Sequence, residues 1–284
     1  MSSGTYYEYI PVTNVHRVRI PDSIFSSRSK IENIYKISMK YKAVSRVHIG
    51  SGKKDFLEKE NKVLFKHIRD ARGYLFLPAS SIKGVVSTNF LAICGSAELT
   101  SEVFGTTADK ATISKVYFYN IYPQGRNLLE IVEIEKLWSP KPPKNNVVKI
   151  YISKAPETDI AGKIETLKVG TIFQFKLFGI NLSEIELGTL LLSLGYNPSS
   201  KNRKFLKIGY AKPKAFGLLQ PLDETLVIEK LEITEKFEVQ HKILERKKIL
   251  EIISNTKKHI NNELSKLGFK DTVDNRFNIV FGWK

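Results

Sequence analysis

The sequence predicts an α+β fold in which an antiparallel or mixed sheet is covered by helices on one face. Three observations carry that expectation. Residues 34–49 alternate, with Tyr35, Ile37, Met39 and Tyr41 on one side and Ile34, Lys36, Ser38 and Lys40 on the other, as in a half-buried strand. Two later segments read as helices separated by strand-like runs, 81–94 from apolar residues at helical spacing and 181–194 from its N-cap, acidic first turn and apolar run at 190–192. A composition of 42% hydrophobic and 26% charged residues over 284 positions sits near the globular average, which excludes a disordered chain, a collagen-like fibre and a coiled-coil rod.

The elements follow in order. Residues 1–33, with Asn14, Pro21, Asp22 and the run Ser26, Ser27, Arg28, Ser29, show no period and read as an extended arm or a terminal tail. After the first strand, 52–73 is a charge-dense loop with a hairpin around a short strand at 63–68, and 74–77 is a brief apolar strand. Pro78 and Ala79 interrupt it, Ser80 and Ser81 offer N-cap hydroxyls, and Ile82, Val85, Val86, Phe90 and Ile93 predict a helix over 81–94 that stops at Gly95. Residues 114–121 read as a strand, 128–138 as strand or helix, and 139–146, with Pro140, Pro142 and Pro143, as a turn or exposed loop.

Strands are expected at 147–152 and 167–178, with 155–162 as a protruding loop between them. Ser183 as N-cap, with Glu184 and Glu186 in the first turn, predicts a helix over 181–194 ending at Gly195. Residues 205–208 and 218–219 bracket a loop rich in Gly and Lys. Apolar spacing over 239–267 predicts one long amphipathic helix, broken near Asn255. The division expected is an arm at 1–33, a core at 34–222, and a C-terminal strand with a long basic helix packed on the core at 223–284.

Charge points to the partner class. Lys and Arg number 45 against 29 Asp and Glu, a net charge of +16 with a pI near 9.6, and such an excess favours polyanions. Nucleic acid comes first and an acidic membrane surface second. Cys94 is the one cysteine, so neither an intramolecular disulfide nor a Cys-based zinc site within the chain is available. No apolar run approaches the roughly 18 residues of a membrane span, and the expectation is a soluble cytoplasmic protein with no metal and no cofactor. Abundant Lys and Glu with scarce Cys and Met suit a thermophile.

Three motifs suit an anionic ligand. The first, Val47, His48, Ile49, Gly50, Ser51, Gly52, ends a strand in glycines that let backbone N–H groups approach a phosphate, although a plain strand-end turn fits the same spacing. In the second, Pro78, Ala79, Ser80, Ser81, Ile82, Lys83, Gly84, hydroxyls, free N–H groups and a lysine meet at the positive end of a helix. Gly84 costs such a helix about 1 kcal/mol relative to Ala, so a close backbone approach is its natural reason. The third runs from Lys207 through Ile208, Gly209, Tyr210, Ala211, Lys212, Pro213, Lys214, Ala215 and Phe216 to Gly217. Its lysines suit phosphates and its aromatics suit bases, while a core Phe216 with lysines on a solvated face is the plainer alternative.

Catalytic patterns are weak. His16, His48, His67, His241 and His259 are scattered, with no H-E-x-x-H or G-x-S-x-G and no acidic cluster at metal spacing. Residues 241–270 hold eight Lys and Arg against three Glu, a basic face for RNA or an acidic partner.

In this order the motifs resemble the RAMP superfamily of CRISPR-associated proteins, and more closely the RNA-binding backbone subunits of type III (Csm/Cmr-like) effector complexes. The resemblance spans residue 34 to about 219. Its H-I-G-S-G motif is matched at His48 to Gly52, and its P-G-S-S-x-K-G turn at Pro78, Ser80, Ser81, Lys83 and Gly84. A later F-G is echoed by Phe104 and Gly105, a G-x-x-F strand by Gly170 and Phe173, and the glycine-rich loop by Gly209, Phe216 and Gly217. Ala79 and Ala211 replace glycines and Ser87 an arginine, which implies fewer phosphate contacts.

The resemblance implies a modified RRM-like, ferredoxin-type core with insertions, and a thumb-like hairpin at about 149–166. It implies that His48, Gly50, Ser51, Gly52, Ser80, Ser81, Lys83, Gly84, Lys207, Gly209, Lys212, Lys214, Phe216 and Gly217 hold RNA. Implied partners are CRISPR RNA, single-stranded target RNA, paralogous RAMP subunits, a large polymerase-like subunit and small helical subunits. Subunits that cut target RNA carry an aspartate before the strand leading to P-G-S-S. The matching residues here, 61–65, hold no carboxylate, and Asp55, Glu58 and Glu60 lie out of register. A subunit that binds without cutting is therefore expected. The alternative is an endoribonuclease using Asp55 on target RNA, or His48 as general acid or base in CRISPR RNA processing.

Overall fold

A computed structural model describes residues 5–13, 31–107, 111–137, 145–233 and 239–284. The chain runs through β1 (Tyr7–Pro11), β2 (Ile34–Ala43), β3 (Gly50–Leu57), β4 (Lys62–His67), α1 (Ala79–Cys94), α2 (Ala97–Phe104), β5 (Val116–Phe118), β6 (Leu129–Glu135), β7 (Val147–Tyr151) and β8 (Ile160–Leu167). It continues with β9 (Ile172–Ile180), α3 (Glu184–Ser193), β10 (Leu206–Lys207), β11 (Leu218–Ile233), β12 (Val239–Ile243), α4 (Arg246–Lys266) and α5 (Val273–Phe281). The fold is α+β.

The alternation in β2 decides the architecture. Tyr35, Ile37, Met39, Tyr41 and Ala43 are buried, whereas the residues between them are not. β2 is central in an antiparallel sheet ordered β11-β2-β9-β5, with β10 and β12 joined to opposite ends of β11. The chain passes through α1 between β2 and β5, and through α3 between β9 and β11, so neighbours within β11-β2-β9-β5 are not consecutive in sequence. Both helices cover the buried face, where Tyr41 donates its hydroxyl to Leu194 O (2.8 Å) and Asn89 Nδ2 donates to Ser193 O (3.2 Å). α4 forms a second layer on α3. A side chain at Gly188 would collide with Thr256, so glycine sets how closely those two helices approach.

A second sheet, ordered β3-β4-β8-β6, contains one parallel pair, β4 with β8, and Leu167 of β8 is bridged by Val47 in the segment between β2 and β3. β1 pairs with β7.

Several expectations are corrected. β2 ends at Ala43 rather than 49, and Leu75 and Leu77 make only isolated bridges instead of a strand over 74–77. α1 begins at Ala79 and its N-cap is Pro78, so Ser80 and Ser81 lie inside the first turn. The Ala79 N–H is instead accepted by Asn120 Oδ1 (2.9 Å), a tertiary cap that no local pattern shows. The expected strand over 114–121 shrinks to Val116–Phe118, and the stretch left open between strand and helix holds the strand β6 at Leu129–Glu135.

The loop expected at 155–162 contains the start of β8, and the next strand begins at Ile172, after a turn at Gly170 (φ +89°). Residues 149–166 do not pair with one another as a thumb-like hairpin would: β7 joins β1, and β8 joins β6 and β4. The expected helix at 239–267 is a strand followed by a helix that runs unbroken through the exposed Asn255, and α2 and α5 were not anticipated. α3, capped by Ser183 with Glu186 closing a capping box, matches its expectation. Most of the arm at 1–33 and of the loop at 139–146 lies outside the described residues.

Candidate nucleic-acid interface

Beyond Ala43 the chain leaves the central sheet and carries His48, Ile49 and Gly50 alongside α1 and the 207–217 loop. Tyr210 N–H donates to His48 O (2.9 Å), and Gly217 N–H donates to Arg46 O (2.7 Å). Gly209 (φ +84°) would strike His48 O if it carried a Cβ, and Gly217 (φ +75°) would strike Ile208 O. These two glycines therefore hold backbone against backbone. Gly84 differs: a Cβ there meets nothing within 4 Å, so it leaves open space.

That space is a cleft of about 510 Å³ to which each motif contributes: Gly50 from the first, Ser81 and Gly84 from the second, Lys207, Gly209 and Lys212 from the third. Lys149, Tyr151, Thr88 and Tyr210 complete the wall. Lys207 Nζ donates to Val280 O (2.8 Å), and burial pulls its pKa down to about 7. Lys212 Nζ donates to Gly209 O (2.7 Å) and is also lowered by burial. Among the described residues neither has a carboxylate within 4 Å, and the Glu8 carboxylate acts on Lys207 only from farther away. Desolvated cations without counter-charges are costly unless an anion completes them. Lys149 Nζ sits 3.9 Å from the Tyr7 ring centroid and 5.2 Å from that of Tyr151.

A smaller recess of about 150 Å³ adjoins at Gly50 and Tyr210, lined also by His48, Gly52, Lys53, Lys54, Phe65 and Lys66. The His48 ring is buried, and its Nδ1 donates to Glu165 O (2.7 Å). Burial lowers the pKa of His48, and burial together with nearby His48 lowers that of His67 to about 4. Both imidazoles are neutral at pH 7. Beneath them the buried Glu165 carboxylate accepts from Arg69 (2.8 Å), His67 N–H (3.0 Å) and Lys66 (3.3 Å). Burial alone raises a carboxyl pKa, and these bonds outweigh it and hold Glu165 low.

Cations and aromatic rings around one cleft suit a phosphate backbone with unpaired bases. Residues 40–278 match the RAMP superfamily of proteins. The chain belongs to that superfamily. Membership carries a CRISPR-associated, RNA-binding role in multi-subunit complexes. No curated protein matches the chain.

Not every residue expected to hold RNA faces the cleft of this RAMP protein. Lys214 is buried, paired with Glu135 and donating to Pro156 O, and Phe216 packs against Ile134, Ile164 and Ala211. Lys83, half-buried and lowered by burial, is not among the residues lining the cleft, and Ser80 points to solvent on the first turn. Ser51 Oγ donates to Lys66 O (2.9 Å) inside the β3–β4 hairpin. Asp55 is exposed and bound to Lys66 Nζ (2.8 Å).

Lys149, Tyr151 and Glu165 escaped the sequence reading because pairing between strands distant in the chain places them, and Thr88 because it reaches the cleft one turn beyond Gly84 on α1. No helix among the described residues is long and apolar enough to cross a membrane.

Proposed function

We propose that this RAMP protein is a CRISPR RNA-binding structural subunit of a type III interference complex, one that helps present the guide to target RNA without cutting it. The observation that carries the reading is the convergence of three distant motifs on a cleft holding Lys207 and Lys212, two desolvated lysines with no carboxylate within 4 Å. Guide phosphates complete these cations, and Tyr151 and Tyr210 lie beside bases. An RRM-like, ferredoxin-type core is supported by the chain order β2, α1, β5, β9, α3, β11 together with the sheet order β11-β2-β9-β5. Paralogous RAMP subunits, a large polymerase-like subunit and small helical subunits are the partners of this reading. Binding without cutting is supported by Asp55, whose carboxylate is engaged by Lys66.

A second reading, an endoribonuclease using His48 as general acid or base, is favoured by the His48 ring lining the lysine-rich recess.

The test is purification of the native complex with its RNA, followed by binding measurements on Lys207→Met/Lys212→Met. Recovery of CRISPR RNA with other type III subunits, and affinity at least tenfold weaker in the variant, are expected. Heterogeneous cellular RNA without such partners overturns the assignment. Incubating the protein with labelled RNA, with and without magnesium, should leave the RNA intact; cleavage that Asp55→Ala or His48→Ala abolishes overturns the non-cutting reading.

A further inference from the structure

The central sheet has a second face, turned away from α1 and α3, with no described element packed on it. Strand register defines its residues. On β9, Phe178 stands opposite Lys36 of β2 and Tyr117 of β5, and Lys176 stands opposite Ser38. Tyr119, just past β5, donates its N–H to Lys176 O (3.3 Å), and its ring meets the Phe178 ring edge-on at 5.7 Å. Tyr117 and Tyr119 are 44% and 49% exposed, whereas Phe178 is half-buried between them.

Lys40 and Lys42 continue the same side of β2. Lys36 is held by Glu229 (3.0 Å), but Lys40, Lys42 and Lys176 have no carboxylate within 4 Å among the described residues. Three rings and three uncompensated ammonium groups thus share one flat surface, with alternate residues along each strand about 7 Å apart.

We propose that this face binds a single-stranded RNA segment, with Tyr117, Tyr119 and Phe178 stacking on unpaired bases and Lys40, Lys42 and Lys176 neutralising its phosphates. The site lies outside the cleft and does not depend on what the cleft holds. A protein partner fits less well. Covering the three lysines with an apolar surface leaves cations buried and unpaired, whereas RNA supplies both the anions and the flat π-faces the rings take.

The experiment uses the full chain and a 30-nucleotide oligouridine containing 4-thiouridine, with affinity read by fluorescence anisotropy and contacts mapped by photo-crosslinking and mass spectrometry. Both tyrosines are exposed, so Tyr117→Ala/Tyr119→Ala should keep the wild-type circular dichroism. Affinity should fall about fivefold or more per ring, and cross-links at Tyr117 or Tyr119 should appear in the wild type. Lys40→Glu/Lys176→Glu provides a second variant with intact rings and the same expected direction.

Unchanged affinity in both variants, with cross-links confined to the cleft, overturns the proposal. So does a self-association, read by light scattering, that the tyrosine variant abolishes while RNA affinity stays constant. Lys207→Met/Lys212→Met separates the two sites: loss of sheet-face cross-links only in the tyrosine variant supports this inference, even where the cleft variant binds RNA normally and the cleft reading fails.

Discussion

At the scale of single residues, the cleft separates groups that serve folding from groups free to serve a ligand. Gly84 sits exposed in the second turn of α1 with nothing within 4 Å of its missing Cβ. Gly84→Ala should stabilise the helix by about 1 kcal/mol and at the same time push a methyl group into the cleft. The expected pair is a higher midpoint in urea unfolding and weaker RNA binding; a variant that gains stability and keeps full affinity removes Gly84 from the interface. Lys207 is the opposite case, a residue whose site penalises its own charge. Its pKa is pulled by burial from 10.5 to about 7. Below pH 7 folded and unfolded chains both carry the charge, and the folded state bears the whole desolvation cost. Between pH 7 and about 10.5 the folded chain has lost a proton that the unfolded chain keeps, so the cost shrinks as pH rises. Lys207→Met should therefore raise the melting temperature most near pH 6, with the gain narrowing toward pH 10. A gain independent of pH would show that lost packing, not lost charge, sets the difference. The sequence named both residues but not their roles. It also paired Lys212 with Lys214, and only the single turn at 212–214 decides that one lines the cleft while the other turns inward to Glu135.

Legibility at the scale of elements follows how local the determining physics is. β2 and α3 were readable because alternation and a capping box act within a few residues. α1 was readable except for its start, which depends on Asn120, some 40 residues away. β8 was missed in part because its start, Ile160 and Ala161, is exposed and its partners are β6 and β4 rather than a sequence neighbour. The same distinction predicts relative costs. Ser183→Ala removes one cap and should cost about 1 kcal/mol. Gly217→Ala places a Cβ against Ile208 O at positive φ, where the 207–217 loop cannot yield without parting from Arg46 and His48. Its cost should exceed that of Ser183→Ala, at roughly 2 kcal/mol or more, and RNA binding should fall with it. Urea titration of both variants checks the order, and a reversed order would show that the loop re-forms around the new side chain.

At the scale of the whole molecule, a charge of +16 was legible from composition, but where it gathers was not. Much of the basic charge is spent within the fold, in pairs such as Lys115 with Glu186 (2.6 Å) and Lys257 with Asp274 (2.7 Å). Among the described cations without such partners, Lys149, Lys207 and Lys212 line the cleft and Lys40, Lys42 and Lys176 lie on the open sheet face, while others such as Lys247 and Lys258 lie on α4. Salt dependence can count them, because single-stranded binding loses about 0.7 in the log-log slope for each phosphate neutralised. An oligonucleotide short enough to fill only the cleft should give a slope of about −2. One long enough to reach around to the sheet face should approach about −4, and Lys40→Glu/Lys176→Glu should return it toward the short-oligonucleotide value. Equal slopes at both lengths would mean that the two basic surfaces do not share one RNA strand, and that the sheet-face lysines meet their counter-charge elsewhere in the assembly.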